Sequence, residues 1–160
     1  LGVFLSVCVI WVMHITSDKV YSTRTLTNRT GIKIIGSVMD SKNNLLLKKC
    51  EGRNVADSDV QLETLAVDIR CRAEDVKQLL VIGTADTEKL TQALRKEMAG
   101  VQICAGNILN STSALEALKS CDAVVLVARC GVSRYSTVLR QMDVISDYEK
   151  QLLGCVLIGG

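Results

Sequence analysis

Apolar residues gather along this chain in short runs separated by stretches with helical spacing. "IKIIGSVM" (32–39), "QLLVIGT" (78–84), "VQICAG" (101–106), "DAVVLVAR" (122–129) and "LLGCVLIGG" (152–160) read as strands. Several are apolar almost without interruption, as strands buried on both faces are. Between them the period changes. Leu62, Leu65, Ala66 and Ile69 follow a capping box of Ser58 and Gln61. Leu90, Ala93, Leu94 and Met98 share one helix face; Leu115 and Leu118 follow a second capping box, Ser113 and Glu116; Val138, Leu139, Met142 and Ile145 stripe a last helix. Strands alternating with helices imply right-handed crossovers. The expected fold class is therefore α/β, a mainly parallel sheet of four or five strands flanked by helices in three layers.

The N-terminal pattern differs. "LGVFLSVCVIWVMHI" (1–15) is apolar throughout, too short to span a bilayer, which needs ~20 residues. A buried strand or helix is one reading. The reading preferred here is the end of a transmembrane helix, because Trp11 sits where interfacial aromatics gather and Lys19, Arg24, Arg29 and Lys33 follow with Asp18 the one acid among them. By the positive-inside rule residues 16–160 are then cytoplasmic, below a cell membrane. Polar residues 16–31 suit a short helix begun at Ser22 and stopped at Gly31. Residues 40–56 read as a linker, with a solvated Lys48-Lys49 pair. The organisation expected is a membrane segment (1–15), a juxtamembrane helix, strand and linker (16–56) and an α/β domain (57–160).

Composition narrows the chemistry. Only five residues are aromatic, so the core is aliphatic and no stacking surface for single-stranded nucleic acid is evident. A net charge of +2 with mixed signs does not point to nucleic acid. The seven cysteines form no C-x-x-C pair, which suits a reducing compartment. The one histidine, His14, lies in the apolar run, so Ser-His and Cys-His nucleophile pairs and mixed His/Cys zinc sets are not expected. Cys104 and Cys130 stand near strand ends, where a reactive thiol would be useful, but no base accompanies them and core packing is the simpler reading. The sequons at Asn28 and Asn110 carry no weight in a cytoplasmic segment.

One loop has a recognisable outline. From Gly83 the spacing of a phosphate loop is nearly kept, but its second glycine is Glu88 and its hydroxyl residue is Leu90, on either side of Lys89. Such a loop works by converging backbone N–H groups on phosphate, aided by the helix dipole. Glu88 places a negative charge there; two like charges at about 4 Å cost ~4 kcal/mol at an effective dielectric of about 20. Leu90 cannot ligate Mg²⁺, and Thr91 is displaced by about 100° around the helix. The strand 101–106 supplies no metal-binding acid, and Asp122 begins its strand, the wrong end for ligands in a parallel sheet. Asp86 reads as a helix N-cap. The loop is thus a connector with a phosphate loop's outline; this stretch alone leaves coincidence open.

Three stretches carry a resemblance. "SDKVYSTRTLTNRTGIKIIGSV" after an apolar helix resembles the segment that follows the second membrane helix of polysaccharide chain-length determinant (co-polymerase) proteins, with Lys33 in place of the usual proline between Gly31 and Gly36. "SALEALKSCDAVVLVARCGVSRYSTVLRQMDVISDYEKQLLGCVLIGG" resembles the C-terminal part of the bacterial tyrosine-kinase domain often fused to them. Its Arg-x-Gly-x-[ST] turn falls on Arg129, Gly131 and Ser133, and its final L-G-x-V strand on Leu153, Gly154 and Val156. "DVQLETLAVDIRCRAE" looks like the helix before that kinase's phosphate loop. The phosphate loop is degraded, two aspartate-bearing motifs are missing, and Tyr135 and Tyr148 form no C-terminal tyrosine cluster. The resemblance therefore implies a pseudokinase-like domain on a membrane protein of capsular or exopolysaccharide assembly. It implies no catalytic residue, cofactor or metal, and protein partners or copies of itself instead. The alternative is a nucleotide-binding switch or kinase-related ATPase that still uses Gly83, Glu88, Lys89 and Leu90.

Overall fold

The computed structural model describes residues 1–38, 58–83 and 87–159. The linker 40–56, its Lys48-Lys49 pair and Asp86 lie outside the described residues, as do the side chains of His14 and Ser58. Helix α1 spans Gly2–Ile15, α2 Thr23–Thr30, α3 Ser58–Arg72, α4 Thr87–Glu97, α5 Thr112–Ser120 and α6 Tyr135–Asp147. The strands are β1 (Ile34–Val38), β2 (Gln78–Gly83), β3 (Gln102–Gly106), β4 (Ala123–Arg129) and β5 (Gln151–Ile158).

All five strands form one parallel sheet in the order β1-β5-β4-β2-β3. Period-two alternation sorts their side chains into two cores. Leu80, Ile82, Val124, Leu126 and Leu157 meet Leu26 of α2, Leu118 of α5 and Val138 and Ile145 of α6. Leu79, Val81, Val125, Val127 and Val156 meet Leu65, Ala66 and Ile69 of α3 and Leu90 and Leu94 of α4. The result is a helix–sheet–helix sandwich. β1 comes from the segment before the linker, yet it forms the edge of the same sheet, and Val20, Leu26 and Ile32 are buried in its core.

Sheet register is broken at Gly154. Leu152 pairs with Val124 but Gly154 with Val125, and the shift continues against β1 between Ile34 and Gly36. Gly154 takes φ +153, and a Cβ there would sit 2.6 Å from the Lys33 carbonyl and from Ile35 Cγ1. Only glycine fits between β4 and β1 at that point.

Helix ends depart in part from the expected caps. Gly31 ends α2 in the left-handed conformation, its N–H bonded to the Thr27 carbonyl, as expected. Ser22 is the N-cap of α2, but its side chain makes no capping bond. α5 is capped by Ser111 rather than Ser113: the Ser111 hydroxyl accepts the Ala114 N–H, and Ser113 bonds to Ser111 instead. Both serines fit a capping pattern, and the helix begins two residues earlier.

α1 stands apart. Phe4 is 76% and Trp11 68% exposed, and Val3, Leu5, Ile10 and Met13 are exposed with them. No described helix is long and apolar enough to cross a membrane.

Candidate functional site

In a parallel sheet, ligands are met where the connections diverge, at the strands' carboxyl ends. Here the chain leaves β2 toward β3 on one side and leaves β4 toward β5 on the other, so the crevice lies between β2 and β4. Its two rims are the β2–α4 connection, which begins at Gly83, and the β4–α6 turn, which contains Arg129, Gly131 and Ser133.

At the first rim, residues 84–86 lie outside the description, but both ends of the connection are defined. Gly83 is buried, and a Cβ on it would lie 2.5 Å from Thr87 Cγ2 and 3.1 Å from Val127 Cβ. The close approach of Thr87 and Val127 therefore accounts for this glycine without a phosphate. Glu88 and Lys89 are exposed in the first turn of α4. Leu90, at the position of the metal-ligating hydroxyl, is 0% exposed and belongs to the α3–α4 core. Thr91, the next hydroxyl along, is buried and donates to the Thr87 carbonyl at 2.7 Å. The acidic Glu88 suits the positive end of the α4 dipole, which an anion would otherwise occupy. Among the described residues no group of three or more His, Cys, Asp or Glu side chains is placed to hold a metal ion.

The second rim is closed by hydrogen bonds within the turn. Ser133 Oγ accepts the Arg129 N–H at 2.8 Å, and the Arg129 carbonyl accepts the N–H of Ser133 at 2.9 Å and of Val132 at 3.2 Å. Gly131 holds φ +73. Onto this turn lies the segment that links α1 to α2. Lys19 and Arg134 form an antiparallel bridge. Val20 N–H donates to the Ser133 carbonyl at 2.8 Å, and Gly131 N–H to the Val20 carbonyl. The Asp18 carbonyl accepts the Tyr135 N–H at 2.8 Å, while its carboxylate accepts the Ser136 N–H at 3.2 Å and the Ser136 hydroxyl. Those hydrogen bonds, with Arg134 and Arg29 nearby, hold the Asp18 carboxyl below the usual carboxylate range. The Cys130 thiol donates to the Tyr21 carbonyl at 3.1 Å, and the Arg29 guanidinium lies 4.9 Å from the centre of the Tyr135 ring.

The remaining candidates are placed elsewhere. Cys104 is half-buried on β3 against the core. Cys155 is buried in β5, where loss of solvent pushes its thiol up to about 12. Asp122 lies at the amino ends of the strands: its carboxylate accepts the N–H groups of Lys77 and Gln78 at 2.9 and 3.0 Å, which holds it below its ordinary range. It ties β4 to β2 and faces away from the crevice. Asp18 and Ser136 belong to no motif in the sequence. The one trace was that Asp18 is the sole acid in a basic stretch, and nothing local announces a partner so far along the sequence.

No family model and no curated protein matches the sequence. Among solved structures, the BceF tyrosine kinase domain matches with a TM-score of 0.56 over 88% of this chain and 99% of that one, at 12% identity. The chain thus has the α/β fold of a bacterial tyrosine kinase domain, with a five-stranded parallel sheet between helices. At that identity the likeness is one of fold, and activity lives in the site rather than the fold.

Proposed function

We propose that this chain is the non-catalytic, cytoplasmic portion of a membrane-anchored protein of capsular or exopolysaccharide assembly, regulating chain length or assembly through its kinase-like domain. The observation that carries the loss of catalysis is Leu90. The position from which a hydroxyl would reach Mg²⁺ faces the interior of the protein and packs against α3. Exposed Glu88 adds a charge that repels polyphosphate. The fold shared with the BceF tyrosine kinase domain supports the kinase-like part of the reading.

The membrane part rests on α1. A helix apolar on every side belongs in a protein interior or in lipid, and the α/β body leaves this one uncovered. Its function is then to present surfaces to protein partners, such as a true kinase, a phosphatase, the polymerase machinery or further copies of itself. Incubated with Mg²⁺-ATP, the whole chain is expected to release no phosphate and to acquire no phosphotyrosine above a heat-denatured control. Sustained turnover would overturn the proposal in favour of the kinase-related alternative. The whole chain is required, because β1 and Val20 are parts of the sheet and its core.

A further inference from the structure

We infer that residues Asp18–Tyr21 form a latch that couples α1 to the crevice between β2 and β4 and opens as a unit, without unfolding of the sheet. The inference concerns the fold and does not depend on the loss of catalysis. Only Thr16 and Ser17 separate the end of α1 from Asp18. A displacement of α1 is therefore delivered to the latch with little slack, since two residues span at most about 7 Å.

The latch supplies what α6 lacks. Arg134 is the N-cap of α6 and its side chain makes no capping bond. Asp18 fills that role from a distant part of the chain: its carbonyl takes the Tyr135 N–H and its carboxylate the Ser136 N–H. Two otherwise orphaned donors of the helix are satisfied, and the negative charge sits at the positive end of the dipole. The rest of the latch is short. Val20 is its one fully buried side chain, and its remaining bonds run to Ser133, Gly131 and Cys130. α2 and β1 hold the core independently through Leu26, Ile32 and the β1–β5 pairing. Release of 18–21 thus leaves the sheet intact, while α6 loses its cap and the 130–136 turn loses its outer bonds at the rim of the crevice. Local openings of this kind, below the global unfolding free energy, are a general property of small bonded segments.

The test is residue-resolved amide exchange of the whole chain near neutral pH. In Asp18→Ala, the amides of Val20, Gly131, Tyr135 and Ser136 should exchange at least about tenfold faster together, with the β4 amides unchanged. Unchanged rates at all four, or equal acceleration in β4, would overturn the latch. Wild-type protein in low urea provides a check free of the substitution. The four amides should share one opening with a weaker urea dependence than β4, because less surface is exposed. Exchange only through global unfolding would contradict the inference.

Discussion

The two rims of the crevice differ in what their residues do. The β2–α4 rim keeps the outline of a phosphate loop, but the residues that fix its shape and those that would do its chemistry have parted. Gly83 is demanded by the contact with Thr87 and Val127, whereas Leu90 has become core and Glu88 a dipole partner. The β4–α6 rim keeps Arg129, Gly131 and Ser133, and each has a bonded task in closing the turn or receiving the latch. A glycine or serine in a loop therefore does not establish ligand binding when packing and backbone bonding already require it.

The largest expected effect would break the first rim. Leu90→Ser, which restores a hydroxyl to the loop, should cost about 3–5 kcal/mol of stability, as a buried leucine is lost and a polar group enters an apolar core. Urea unfolding of the whole chain measures it. A cost below about 0.5 kcal/mol, the range of surface changes, would mean that position 90 faces the crevice. Next, Gly83→Ala should cost about 1–3 kcal/mol by crowding Thr87 and Val127, in the absence of any ligand. At the second rim, Ser133→Ala should cost about 1–2 kcal/mol by orphaning the Arg129 N–H, read in the same way.

The smallest effect is a pH dependence. The folded Asp18 carboxyl lies below its unfolded value, so its contribution is present above the unfolded pKa and is lost as pH falls through the folded one. Arg134 and Arg29 are the basic groups that lie near it. Asp18→Asn should be less stable than the parent near neutral pH, and the two should converge in acid. A gap that persists well below the carboxylate range would assign the effect to something other than this charge.

Much of the fold was legible because it is written in local periods. The strand runs and the faces of α3 and α4 follow alternation and 3.6-residue spacing, and Leu62, Leu65, Ala66 and Ile69 are buried as their spacing requires. α6 shows where that signal weakens. By spacing Leu139 falls on its apolar stripe, yet it is exposed, while Tyr135 and Gln141 are buried. Polarity at Gln141 disguised the true face, whose centre is set by contact with α2 and the sheet. The cap of α5 slipped from Ser113 to Ser111 for a similar reason, since neighbouring serines offer equivalent acceptors. At the site, missing chemistry could be read from residue types at 88–90, since charge and hydrogen bonding are properties of a side chain. The burial of Leu90 follows from the apolar face it shares with Ala93, Leu94 and Met98, whereas the capping of α6 by Asp18 depends on contact between segments far apart in the sequence.

The most direct test of the central claim is titration of the whole chain with Mg²⁺-ATP by calorimetry. The account predicts no saturable heat up to millimolar nucleotide, with the protein folded throughout. Saturable binding at a fixed stoichiometry would contradict it, and would mean that Lys89 and the backbone of the loop grip phosphate despite Glu88 and the buried Leu90.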